Sequence, residues 1–164
     1  MCRHGRQFLF IIILLLAGCS SLVPTKAPPV KDKNLHIVFP NDDWGLIDAR
    51  TSDHAWSHKK RGDVIVLNSF WGEFQSLPLE SLALKTFQSY PGFLPLGKRT
   101  IEWFEREAFE MEAEAQVDGV KVLIYMRNYR RNHCYYDFVL ITPRQRDPQT
   151  YQAFRELLSG VRFK

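Results

Sequence analysis

From Phe109 to Val117 the chain alternates apolar and polar residues without a break, and Asp118-Gly119 follows at once. A period of two sends successive side chains to opposite faces, so a strand is expected here despite the helix-favouring Glu and Ala. Asp-Gly supplies the positive-φ positions of a tight hairpin turn, and Val120 to Arg127 returns as the partner strand. Asn128 to His133 reads as a polar, basic turn, and Cys134 to Thr142 as a third antiparallel strand ending at Pro143. A meander of this kind restricts the chain to architectures with an antiparallel sheet.

The flanking segments supply further layers. Leu35 to Phe39 is a short strand stopped by Pro40, and Trp44 is expected to pack as a lid on the core. Asp63 to Phe70 is a near-continuous run of β-branched and apolar residues, which fits a central strand buried on both faces. Ser76 is positioned to cap a helix with Pro78 in its first turn and Leu79, Leu82, Ala83 and Phe87 on one face. Asp147 caps and Pro148 opens a final helix with Tyr151, Phe154, Leu157 and Leu158 on its apolar side, before Gly160. Strands, helix, meander and terminal helix imply an α+β domain, an antiparallel sheet with helices packed on it.

The amino terminus carries a different signal. Arg3 and Arg6 precede the ten-residue apolar run Phe8 to Ala17, which is too short to cross a ~30 Å hydrocarbon layer as a helix and reads as the hydrophobic part of an export signal. Leu16-Ala17-Gly18-Cys19 resembles the bacterial lipobox. That resemblance implies signal-peptidase recognition through Leu16, Ala17 and Gly18, acylation of Cys19 and cleavage before it. Ser20 stands where an Asp would resemble the inner-membrane retention signal, which implies an outer-membrane anchor facing the periplasm. Ser20 to Lys33, with three prolines and no periodicity, reads as a tether. The expected organisation is a cleaved signal over 1–18, an acylated cysteine and tether over 19–33, and one α+β domain over 34–164.

Charge and motifs narrow the function classes. The 22 basic and 18 acidic residues include Arg3 and Arg6, so the processed chain is near neutral, and its interleaved charges argue against nucleic acid as a partner. With Cys2 removed and Cys19 acylated, Cys134 stands alone and is expected to be a small buried residue, so no internal disulfide forms. Asn132-His133-Cys134 begins a strand, where neighbouring side chains diverge, so a Cys-His nucleophile is not expected. Asp53, His54 and His58 would place two imidazoles one turn apart on a helix, but Lys59, Lys60 and Arg61 repel a dication and 57–62 reads as a polar turn. Neither metal nor cofactor is therefore expected. Glu110, Glu112 and Glu114 read as one solvated sheet face, and Arg127, Arg130, Arg131 and Lys121 as a cationic end of the meander that could meet anionic headgroups. No Gly-rich phosphate loop, HExxH or GxSxG sequence is present. Trp71, Phe74 and Phe93 are the aromatic residues expected to form a partner patch.

A strand ending in Asn68-Ser69, a helix at 79–83, the hairpin at Asp118-Gly119, Cys134 to Phe138 and a closing helix containing Phe154 together resemble the PsbP-like fold. This likeness runs from Leu35 to Phe163 and rests on pattern. The fold also serves an extrinsic subunit of the oxygen-evolving complex and a nuclear-import factor, so it implies no particular activity. The chain also resembles small bacterial lipoproteins, in some of which a cysteine at the place of Trp71 could pair with the one matching Cys134. The expectation is a membrane-anchored, non-catalytic binding or assembly-accessory module with an envelope protein as partner; the alternative is an enzyme or metal-binding protein with an unrecognised site.

Overall fold

The computed structural model describes residues 35–38, 41–48, 52–71, 76–143 and 147–164. Leu16, Ala17, Gly18, Cys19, the tether and Phe74 lie outside the described residues. The elements run β1 (Leu35–His36), β2 (Trp44–Leu46), β3 (His54–His58), β4 (Val64–Trp71), α1 (Leu79–Phe87), β5 (Leu94–Trp103), β6 (Arg106–Val117), β7 (Val120–Arg131), β8 (Cys134–Thr142), α2 (Pro148–Gly160) and β9 (Arg162–Phe163). Seven strands form one antiparallel sheet in the order β2-β3-β4-β8-β7-β6-β5, and β1 pairs with β9 separately.

The alternation along β6 decides how the layers form. Phe109, Met111 and Ala115 join a cluster with Leu79, Leu82, Ala83 and Phe87 of α1. The opposite face of the sheet meets Ala153, Phe154, Leu157 and Leu158 of α2, in a cluster that includes Ile65, Tyr129, Tyr136 and Phe138. One helix therefore covers each face, and the strand buried on both is β8, where all residues but Ile141 are buried. β4 stands third from the β2 edge and is buried at alternate residues, so the sequence-based expectation of a central strand there passes to its neighbour β8.

Several expectations shift with the ladder. β7 continues to Arg131 because Asn128, Tyr129 and Arg130 pair with Asp137, Tyr136 and Tyr135, leaving only Asn132-His133 in the turn. α1 starts after Pro78 with no side-chain cap, so Ser76 does not cap it. Asp147 caps α2 as expected, its carboxylate accepting from the Gln149 N–H at 2.9 Å. A buried bond from the Thr150 hydroxyl to Asp63 at 2.6 Å and an ion pair from Arg61 to Asp147 at 3.1 Å pin the start of α2 to the β3–β4 turn. Tyr151 turns outward instead of joining the apolar face, its place there taken by Thr150 and Ala153.

Candidate functional site: a charged cleft beside the terminal helix

α2 spans only part of its sheet face. Beyond it, β5, β6 and β7 present Arg99, Glu110 and Arg127 in adjacent register, since Arg99 pairs with Glu110 and Glu110 with Arg127. The space between this face and α2 is a cleft of about 740 Å³ walled by Tyr151, Phe154, Arg155 and Leu158. Gly97 keeps its floor open, for a Cβ at that position would meet nothing within 4 Å.

Glu110 organises the floor. Arg99 donates to Oε2 through Nε at 2.7 Å, and Arg127 donates to Oε1 through Nε at 2.9 Å, each adding a second bond from Nη2. Burial pushes the Glu110 carboxyl up, but the hydrogen bonds and charge of Arg127 and Arg99 outweigh it and hold the group below its usual range. Each guanidinium thus closes both these donors on one carboxylate oxygen, and such charge-assisted bonds are stronger than neutral ones. Arg127 is held from its other side by the Trp103 ring, 4.8 Å from its guanidinium carbon. An ionised carboxylate saturated by two guanidinium groups has no proton to give and no free lone pair to accept one, so this arrangement suits recognition more than acid–base chemistry. The Tyr125 and Tyr151 rings, 5.0 Å apart and tilted 43° to each other, add an aromatic wall.

Other sequence-singled residues fall elsewhere. Asp53, His54 and His58 sit at and along strand β3, not on a helix. The imidazoles of His54 and His58 are four residues apart on a strand, about 13 Å at ~3.3 Å per residue. His54 stacks on Trp56, His58 meets Trp44 edge-on, and Asp53 accepts from the buried Ser69 hydroxyl. Among the described residues no group of three His, Cys, Asp or Glu converges. Lys121 pairs with Glu114 at one end of β7 while Arg130 and Arg131 lie at the other, so the four basic residues do not make one cationic end.

Trp71 is 48% exposed and ends β4 opposite Cys134. Phe93 packs against the α1-side cluster and precedes Leu94, which pairs with Glu114 in the row of Leu123. That row and the Arg131–Cys134–Trp71 row are about 26 Å apart along β7, so Trp71 and Phe93 share no patch. Cys134 is buried, as expected, and its place directly across from Trp71 matches the cysteine pair implied by the resembling lipoproteins.

A second polar group is enclosed on the α1 side. Asn68, Asp137 and Asn128 are neighbours in one row across β4, β8 and β7, and the Asn128 amide donates to the Asp137 carboxylate. Burial raises the Asp137 carboxyl to about 7, against the opposing hydrogen bonds of Tyr135 and Asn128. The buried Oδ1 atoms of both Asn68 and Asn128 lack a hydrogen-bond partner among the described residues. Sequence reading missed both this row and the cleft. The alternation of β6 did put Glu110 on a face, but nothing local showed that β5 and β7 would bring arginines to it.

Compared by sequence, the chain matches no protein-family model and no curated protein. Compared by structure, it has the PsbP-like fold. It is similar to cyanobacterial PsbP (CyanoP) from Synechocystis, at 13% identity and a TM-score of 0.58, over 91% of this chain and 99% of that one. It is also similar to LpqN of Mycobacterium tuberculosis, described as involved in cell envelope biogenesis, at 12% identity and a TM-score of 0.57, over 79% and 84% of the two chains. A Pseudomonas aeruginosa protein of unknown function aligns at 14% identity and a TM-score of 0.50, over 77% and 81%.

Proposed function

We propose that the chain is an envelope lipoprotein, anchored through Cys19 in the outer membrane and facing the periplasm, whose PsbP-like domain is a non-catalytic accessory module that binds its partner in the cleft beside α2. The observation that carries the binding site is the Arg99–Glu110–Arg127 arrangement, a charged floor beside an aromatic wall in which the Glu110 carboxylate is already taken up by two guanidinium groups. Arg99 keeps 68% of its side chain exposed and Arg155 lines the cleft, so an occupant with an acidic group and an apolar portion fits this chemistry. The lipobox at Leu16 to Cys19 supports the anchor, and the likeness to an envelope-biogenesis protein agrees with the setting.

The test is photo-crosslinking in intact cells from position 151, with mass spectrometry of Cys19 on the same material. A discrete adduct to an envelope component is expected, and it should vanish in Gly97→Trp, which fills the cleft. An adduct indifferent to Gly97→Trp, or one obtained only from position 71, would move the binding surface away from the cleft; an unmodified Cys19 would remove the anchor.

A further inference from the structure

The β5–β6 hairpin turns on Phe104-Glu105, both in the left-handed region with φ of 51° and 58°. The next hairpin turns on Asp118-Gly119, residues suited to such a turn. A phenylalanine in this conformation crowds its Cβ against the following carbonyl, and conformations of that kind persist where the surroundings hold them, often at functional sites. The Phe104 ring rests on Trp103 at 4.9 Å and meets Phe163 edge-on at 5.2 Å, yet the residue stays 41% exposed. Closing the aromatic cluster explains Trp103. It leaves unexplained why the tip itself should be a large apolar residue facing water.

The surroundings of the tip are basic on one side. Arg106 pairs with Trp103 in the ladder and so projects to the α2 side, whereas Glu102 and Glu107, one register step away, project to the other. The Arg131 guanidinium carbon lies 5.0 Å over the Phe163 ring, and the charges of Arg106 and Arg131 both act on the Tyr129 phenol. Leu35 pairs with Phe163, so the chain coming from Cys19 enters the domain at this same tip.

We propose that this end of the domain rests on the anionic lipid surface, with Phe104 in the headgroup region and Arg106 and Arg131 against lipid phosphates. The proposal rests on the reading that Cys19 is acylated. Fully extended, the chain from Cys19 to Leu35 reaches at most about 56 Å at ~3.5 Å per residue, which keeps the tip within range of the surface. An exposed aromatic residue beside cations suits an interface of apolar and charged layers. With this end down, Arg99 on the cleft floor lies about 17 Å along β5 from the tip.

The experiment uses the acylated full chain, carrying Cys134→Ser and either Glu105→Cys or Asp118→Cys labelled with an environment-sensitive fluorophore. It is reconstituted in vesicles of phosphatidylethanolamine and phosphatidylglycerol with a lipid-borne quencher. Quenching several-fold greater at position 105 than at 118, and reduced by Phe104→Ser with Arg106→Gln and Arg131→Gln at unchanged circular dichroism, is the expected result. Equal quenching at both positions, or no effect of the triple change, overturns the docking while leaving the anchor intact. Absence of acyl mass on Cys19 removes the anchor reading and this proposal with it.

Discussion

Replacing Asp137 by Asn should flatten the dependence of stability on pH. Asp137 is 1% exposed and its neighbours in the row are amides, so ionising it places a charge where no cation is in register to meet it. Arg130, which shares that face and pairs with Tyr135 in the ladder, donates to the Leu77 carbonyl. A neutral Asp137 instead supplies a hydroxyl donor that an Asn68 or Asn128 oxygen can use. Because the folded group titrates at about 7 and the unfolded one at 3.8, the folded state holds a proton that the unfolded state has lost. The associated stability is complete below about pH 4 and declines as pH rises through the folded value. At 1.36 kcal/mol per pH unit the full span is about 4 kcal/mol, of which about 2 to 3 kcal/mol falls between about pH 5 and pH 8. Urea unfolding followed by circular dichroism across that range measures it, with a constant m-value as the check on two-state behaviour. Asp137→Asn keeps the shape and a donor, so it should show a slope near zero and exceed the parent in stability at the alkaline end. Parallel slopes for the two proteins, or a variant less stable than the parent at about pH 8, would refute the assignment of the proton to this row.

Two further outcomes follow from geometry already described. Trp71→Cys should form a disulfide with Cys134 on oxidation, because directly opposed residues of an antiparallel pair lie within the bridging range. The loop from 71 to 134 sets a ceiling of about 4 kcal/mol, readable as a rise in unfolding midpoint that dithiothreitol abolishes. Glu110→Gln should cost about 2 kcal/mol at neutral pH, since it strands Arg127, whose side chain is only 16% exposed, and calorimetric unfolding would measure it. The Glu110 contribution is present above its unfolded pKa and is lost as pH falls through the lower folded value, so in Glu110→Gln the acid-side loss of stability should shrink.

Local signals carried a definite part of the structure. The alternation of 109–117, the Asp118-Gly119 turn and the limits of β8 needed only periodicity and turn chemistry, because each is encoded within a few residues. The cap at Asp147 and the buried Phe154, Leu157 and Leu158 were equally readable. β3 and β5 were not. Leu94 to Trp103 is a mostly exposed edge strand whose alternation at Leu94/Leu96 and Ile101/Trp103 is interrupted by the polar stretch from Gly97 to Thr100, and its conformation comes from the ladder with β6.

What the sequence determined by itself was therefore the meander and the two helices, all properties of contiguous residues. The tertiary structure alone decided that Arg99 and Arg127 would flank Glu110, that Asp137 would be sealed between two asparagines, that Trp71 would face Cys134, and that Trp71 and Phe93 would lie at opposite ends. Each of these depends on strand order and register, which arise when separate segments compete to bury their apolar faces. A one-residue slip would turn every one of those side chains to the other side of the sheet.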